Sequence, residues 1–367
     1  MELRTIGIIV VYIEVAMIRT SRTIRIGKHT IGDGHPVFII CEGGVTNYGQ
    51  YALAKKQIDA AVAAKADAIK FQLWNTASLV SKVSAQKYQK KLGYNWYTRL
   101  KSRELSFTNL KKLFAYAQKK HITCFASPHD EESVDKLVAL GVDCIKVGSG
   151  EAHNHRFLSH VASKKIPVII SFGMHTPKEI QSSVRLLVSR GTPSVIPLHC
   201  TTEYPTKPQH AALRQIYELQ HMVTGPVGYS DHTVGYHVPL AAIAMGIKVM
   251  EKHITFDKSD PRSLDNPGAL LSDEFITFVS AARDVEASMV FRDLSTKKSL
   301  NKSRLWAGQS IVAARKITRG ENITESHILF KRPLIGGLGP EQLNHIIGRR
   351  AKQHIAPDEQ ITLRNTY

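Results

Sequence analysis

The stretch PVIISFGMHTPKEIQSSVRLLVSRGTPSVIPLHCT, residues 167–201, reads as one strand–helix–strand unit. Its apolar runs, PVIISFG and SVIPLHCT, are short and rich in Val and Ile. Neither shows the strict alternation of a strand wetted on one face. Between them, TPKE at 176–179 sets a threonine cap, a proline in the first turn and a glutamate three residues on, and so opens a helix running to Ser189. A strand buried on both faces, a helix and a second such strand make up the repeating unit of parallel sheets.

Outward from this unit the pattern recurs. Further runs are PVFIICE (36–42), AIKFQ (68–72), TCFASP (123–128), CIKVGSGE (144–151), VGYSDH (227–232) and VMEKHIT (249–255), with helix-period stretches at 52–64 and 132–139. Eight strands separated by helices predict an α/β fold, a closed (β/α)8 TIM barrel over residues 26–290. A doubly wound sheet is the competing arrangement, but no glycine-rich dinucleotide turn follows the first run. Residues 291–308 read as a polar linker, and 309–367 as a small, mostly β domain built from SIVAARKI, GENIT, HILFKRP, RRAKQHI and QITL. Residues 1–25 read as an amino-terminal extension, with Met17 a candidate alternative start. Its apolar part, Ile6 to Ala16, carries Glu14, falls short of the about 18 residues of a membrane span and lacks a convincing cleavage site.

Composition narrows the function classes. With 43% hydrophobic and 22% charged residues, the chain is neither disordered nor a coiled coil. Its four cysteines, Cys41, Cys124, Cys144 and Cys200, form no CxxC pair and sit in or beside apolar runs, as free buried thiols in the cytoplasm would. The net charge of +18 is uneven: residues 81–120 hold eleven Lys or Arg against one acid, Glu104. Such an excess suits an anionic substrate or plain solvated faces. No helix-turn-helix, RNP-like or zinc-finger pattern accompanies it, which argues against nucleic acid.

In a barrel of this kind the chemistry gathers at the carboxyl ends of the strands. Here those ends carry Glu42, Lys70 and Gln72, Ser127, Lys146 with Ser149 and Glu151, Ser171, His199 with Thr201, Ser230 with Asp231 and His232, and Glu251, Lys252 and His253. A single strand-end lysine is ordinarily a snorkelling side chain. Eight polar strand ends together point to a polar ligand in the mouth. Two lysines among short hydroxyls suit a phosphate. His232 and His253 end neighbouring strands and can hold a divalent transition metal, although a spacing of twenty-one residues in a chain with seventeen histidines is no metal signature.

These motifs, in order, resemble the sialic acid (N-acetylneuraminate) synthase family: CEGGVTNYG with Glu42 and Asn47, KFQ at 70–72, IKVGSGE at 145–151, SFGM at 171–174, LHCTTEYPT at 198–206, GYSDHTVG at 228–235 and EKHITFD at 251–257. SIVAARKI and the KRP at 331–333 resemble that family's antifreeze-like (SAF) domain. The resemblance covers residues 24–366 and implies condensation of phosphoenolpyruvate (PEP) with an N-acetylated mannose-type sugar, yielding a nonulosonic acid and phosphate. It implies a divalent metal, manganese before magnesium or cobalt, on His232 and His253. Lys70, Ser127, Lys146, Ser149, Ser171 and Ser230 would hold PEP, while Gln72, Tyr204, Asp265 and Arg332 would meet the sugar. Glu42, Glu151 and Glu251 would stabilise charge and manage the proton of the attacking water. It further implies a domain-swapped homodimer, with Arg332 reaching over the partner's barrel. Other readings are a synthase for legionaminic, pseudaminic or spore-coat sugars, a non-catalytic carbohydrate- or anion-binding relative, and, on charge alone, a nucleic-acid binder. The chain departs from the family pattern at Tyr48, Phe172, Thr202 and Asn266, all expected on the sugar side.

Overall fold

The computed structural model describes residues 17–290 and 300–367. The chain divides into two compact units, with the boundary between Val290 and Phe291. Ten strands form in the first unit: β1 Thr23–Ile26, β2 His29–Gly32, β3 Phe38–Glu42, β4 Ala68–Leu73, β5 Thr123–Pro128, β6 Ile145–Val147, β7 Val168–Phe172, β8 Val195–Cys200, β9 Gly228–Asp231 and β10 Val249–His253. The last eight make one parallel sheet in the order β5-β4-β3-β10-β9-β8-β7-β6. Its end strands, β5 and β6, follow one another in the chain and lie side by side, so the sheet curls into a near-closed TIM-like barrel.

The period-two alternation of strand side chains explains the layering. Phe38, Ile40, Ala68, Phe125, Cys144, Ile169, Ile196, Leu198 and Val249 share one buried cluster. Ile39, Cys41, Ile69, Phe71, Val168, Ile170, Phe172 and Tyr229 belong to the second cluster, with the helices. Two residues beyond the inward apolar set, the same parity brings Glu42, Lys70, Ser127, Lys146, Ser171 and Glu251 to the inner face. Gly228 on β9 is required there, since a Cβ would lie 2.4 Å from Leu198 Cδ2 and 2.5 Å from the Val249 carbonyl oxygen.

The expected helices form at Tyr51–Ala63, Glu131–Ala139 and Pro177–Ser189. The last carries the capping box predicted from TPKE, with the Thr176 N–H donating to the Glu179 carboxylate at 2.7 Å. The amino-terminal expectation needs correction. Residues 1–16 lie outside the described residues, but 17–25 are built into the barrel unit. Ile18 N–H donates to the Met222 carbonyl at 2.8 Å, and β1 pairs antiparallel with β2. Ile24, Ile26 and Ile31 of this hairpin join the inner apolar cluster and plug the amino-terminal end of the barrel.

Part of the expected linker, residues 291–299, lies outside the described residues, and Leu300–Ala307 is helical. Among the described residues of the second unit only β11 (Ser310–Ala313) and β12 (Ile328–Lys331) form a ladder. Isolated bridges tie 312 to 360, 317 to 355, 322 to 350 and 351 to 366. Its core is Ile311, Ala313, Ile317, Ile323, Ile346, Ala351, Ile355 and Ile361. Among the described residues no helix is long and apolar enough to cross a membrane. All four cysteines are free.

Ile31 is fully buried in the plug. Ile31→Ala should therefore destabilise the barrel unit by about 2–5 kcal/mol, read as a lower urea midpoint with an unchanged slope.

Candidate active site

A cavity of about 470 Å³ opens at the carboxyl ends of the strands. Of the fifteen candidate site residues, fourteen line it, and Arg332 alone belongs to the second unit, where it is exposed. The inner-face parity of β3, β4, β5, β6, β7, β9 and β10 delivers most of them. Loops bring Ser149, Glu151, Tyr204 and Asp265.

The floor is a chain of buried charges. Lys70 Nζ lies 2.7 Å from Glu42 Oε2 and 3.6 Å from Glu251 Oε2, and donates to Ser127 Oγ at 3.1 Å. Lys146 Nζ lies 4.0 Å from Glu251 Oε1 and donates to Ser171 Oγ at 2.7 Å. Ser230 Oγ donates to Glu251 Oε1 at 2.9 Å, and Gln72 Nε2 to Glu42 Oε1 at 3.0 Å. Burial pulls the Lys70 ammonium down, but Glu251 and Glu42 outweigh it and hold the group above its usual range. Lys146, buried with Lys70 as a like-charged neighbour and helped mainly by Glu251, falls below its usual range. Burial also acts against the charge of Glu251, yet Lys146 and Lys70 pull it down to about 2. Buried Glu42 Oε2 and Glu251 Oε2 have the Lys70 ammonium as their neighbour and no further donor.

Beside this floor the His232 and His253 rings stand with centroids 5.2 Å apart. His232 Nδ1 is 2.9 Å from the Thr201 carbonyl oxygen, which can only accept. The proton therefore sits on Nδ1 and the lone pair on Nε2. Burial, then His253, pushes His232 down to about 4, so it is neutral at physiological pH. His253 Nδ1 is buried without a hydrogen-bond partner, 3.5 Å from Asp265 Oδ2. At Gly44 (φ +50°) a Cβ would stand 2.9 Å from both of these atoms, so glycine leaves that space open. Two imidazoles beside a carboxylate fit a divalent transition metal. Among the described residues no three such side chains converge closely enough to hold one unaided. Water or substrate would have to complete the shell. Tyr204 packs on His232 at 4.1 Å between ring centroids.

Not every polar strand end faces the mouth. His199, Asp231 and Lys252 have the outward parity and are buried against the helices. His199 stacks on Tyr229, the Tyr229 hydroxyl donates to Asp231 at 2.8 Å, and Lys252 donates to Asp231 at 2.5 Å. Phe172 also faces outward, edge-on to His175, so this departure does not touch the cavity. Tyr48 and Asn266 meet each other: Asn266 Nδ2 donates to the Tyr48 hydroxyl at 2.8 Å, behind Asp265. Of these four departures Thr202 lines the cavity, and so does Leu264, which departs from the family pattern in the same loop as Asn266.

The sequence reading missed His129, whose Nδ1 lies 3.0 Å from Glu151 Oε1, although it follows β5 directly. It also missed Trp74, Trp96, Arg99 and Arg103, which line the mouth. The last three come from the long excursion after β4, where short helices at 82–87, 89–92 and 96–101 replace a simple loop. The lysines of 82–91 stand exposed on it.

A near-closed α/β barrel with a lysine–glutamate floor and paired histidines defines a class of enzyme, and comparison places the chain within it. Residues 57–292 match the NeuB family and residues 308–364 the SAF domain. The chain belongs to the NeuB family. It is 34% identical to the N,N'-diacetyllegionaminic acid synthase of Legionella pneumophila, over 89% of this chain and 93% of that protein. It is 32% identical to the N-acetylneuraminate-9-phosphate synthase of Mus musculus, over 90% and 93%. The crystal structure of an N-acetylneuraminic acid synthetase from Leptospira borgpetersenii superposes with a TM-score of 0.68 at 30% identity, covering 78% of this chain and 97% of that one.

Glu251, ordinarily at 4.5 and here near 2, supplies stability that is complete above its unfolded value and is lost as pH falls toward 2. Glu251→Gln should therefore flatten the pH dependence of unfolding free energy between those values. An unchanged acid limb in the variant would show that Glu251 is not held ionised.

Proposed function

We propose that this protein is a nonulosonate synthase, joining PEP to the open-chain form of an N-acetylated mannose-type sugar. C3 of PEP bonds to the aldehyde carbon, water adds at C2, and the C2–O bond to phosphate breaks. The products are a 2-keto acid and inorganic phosphate. The single observation that supports this most is the convergence of Lys70 and Lys146, each donating to a serine hydroxyl, beside a histidine pair in one cavity. The relatives named as legionaminic, pseudaminic and N-acetylneuraminate-9-phosphate synthases point the same way.

In this reading Lys70 and Lys146 take the phosphoryl oxygens, with Ser127, Ser149, Ser171 and Ser230 as short donors around them. Glu251 stays ionised, too acidic for a general base at neutral pH, and faces the positive charge that develops at C2. Glu151, paired with His129 and carrying a buried oxygen without a donor, is the carboxylate suited to take the water's proton. Glu42 orients Gln72 toward the sugar. His232 and His253 would hold a divalent metal, manganese first, and Asp265 would stand beside it. When bound, such an ion polarises the aldehyde oxygen as a Lewis acid. Arg332 would reach the sugar from the second unit of a partner in a swapped homodimer.

Phosphate release from PEP, assayed with N-acetylated sugars and manganese, tests the reading. Turnover should need all three components and stop on chelation. His253→Ala should remove metal-dependent turnover with the far-ultraviolet spectrum intact. Full activity in that variant would sink the ligand assignment, and no phosphate release with any acetamido sugar would sink the synthase reading.

A further inference from the structure

Arg99 and Arg103 line the mouth of the cavity from the excursion after β4. Arg103 is only 8% exposed. Its Nη1 donates to the Arg99 carbonyl oxygen at 3.2 Å. Arg99 lies over the Tyr94 ring, 4.3 Å from its centroid. Among the described residues neither guanidinium has a carboxylate oxygen within the 4.0 Å of an ion pair. A buried guanidinium without a counter-charge is costly, and two on successive turns of one segment repel each other. Burial and Arg99 act together against the charge of Arg103, and Asp265, Tyr48 and Asp260 only partly offset them.

The neighbours of these arginines are not those of the lysines. Lys70 and Lys146 answer to Glu42 and Glu251 at the floor. Arg103 lies instead against the loop after β3: a Cβ at Gly49 would stand 3.3 Å from the Arg103 carbonyl carbon, next to Tyr48, whose hydroxyl accepts from Asn266 beside Asp265, a residue given to the sugar. The phosphoryl group of PEP already has two ammonium groups and a ring of hydroxyls. The planar guanidinium fork, in contrast, matches a second phosphate or a carboxylate.

We propose that Arg99 and Arg103 form an anion-recognising subsite at the acceptor end of the cavity, so that the sugar taken by this protein carries an anionic group, a phosphate ester or a carboxylate. The inference rests on the synthase reading for the identity of the acceptor. It narrows that reading to acidic acetamido sugars and makes the two arginines specificity determinants. The half-buried Arg99 would meet the group first, and the enclosed Arg103 would hold it.

The test compares three acceptors by phosphate release from PEP: an N-acetylhexosamine, its 6-phosphate and the corresponding N-acetylhexosaminuronate. One of the two anionic sugars should exceed the neutral one in kcat/KM by at least about tenfold, the discrimination one charge-assisted hydrogen bond supplies. Which one wins distinguishes phosphate from carboxylate. Arg99→Gln and Arg103→Gln should bring that ratio toward unity through the acceptor KM, while KM for PEP stays that of the wild type. Arg103→Lys keeps the charge and should retain part of the preference, which covers the case in which Arg103→Gln fails to fold. A wild type that uses the neutral sugar as well as or better than both anionic ones overturns the proposal. So does a rise in KM for PEP rather than for the acceptor, because it assigns the arginines to PEP. Calorimetric binding of the same sugars to the manganese- and PEP-loaded protein separates the two levels. Tight, Arg99-dependent binding of an anionic sugar without phosphate release with any of the three supports the subsite and counts against the synthase. Equal binding of neutral and anionic sugars overturns the subsite alone.

Discussion

The site depends on keeping two ammonium groups and two carboxylates together out of water. Glu42, Lys70, Glu251 and Lys146 are each at most 5% exposed as side chains, and they alternate in sign across the barrel floor. Desolvating four charges is expensive, and an apolar plug of the same volume would serve stability at least as well. The arrangement makes sense as preorganisation. The lysines are held in place by their carboxylates, so in the synthase reading an arriving phosphate would meet donors that are already oriented. The lowered Lys146 and the strongly acidic Glu251 are two faces of the same constraint, since each charge survives burial only through the other.

What holds the floor rigid lies on the opposite side of the same strands. Asp231 and Lys252 form a fully buried pair on the outward parity of β9 and β10. Lys252 also donates to the Thr233 carbonyl at 2.5 Å, and Thr233 Oγ1 donates to Asp231 Oδ1 at 3.0 Å. Each residue immediately precedes a candidate metal-binding histidine. Hydrogen bonds that lock the backbone at 231 and 252 therefore also fix where the rings of His232 and His253 emerge. Polar residues at strand ends thus fall into two sets by parity: inward ones line the cavity, and outward ones pair with each other in the barrel wall.

Much of this was legible in the sequence. The eight runs give the strands, and stepping by two from their apolar residues gives Glu42, Lys70, Ser127, Lys146, Ser171 and Glu251. The same step, applied strictly, would have excluded Phe172, His199, Asp231 and Lys252 from the mouth. The plug was obscured because Ile24, Ile26 and Ile31 sit in a hairpin of four-residue strands amid basic residues, too short for a periodic signal. Tyr48 and Asn266 are 218 residues apart, and their meeting is a property of the closed barrel. Two departures from the family pattern that looked independent are one hydrogen bond. Arg99 and Arg103 were hidden among exposed lysines, because a basic run gives no sign of which members turn inward.

Charge counting shows why local pairing outweighs the total. The cavity lining contains Lys70, Lys146, Arg99 and Arg103 against Glu42, Glu151, Glu251 and Asp265, a formal balance before the histidines are counted. In a low-dielectric pocket, however, a charge is compensated by what lies within a few ångströms, and distant partners count for little once water and counter-ions intervene. Lys70 has Glu42 at 2.7 Å and Lys146 has Glu251 at 4.0 Å, whereas Asp265 leans toward His253 at 3.5 Å and Glu151 toward His129 at 3.0 Å. Among the described residues the arginines are left without a carboxylate at ion-pair distance. That uncompensated positive charge on the side of the excursion after β4 gives a bound anion a preferred direction before any shape complementarity acts.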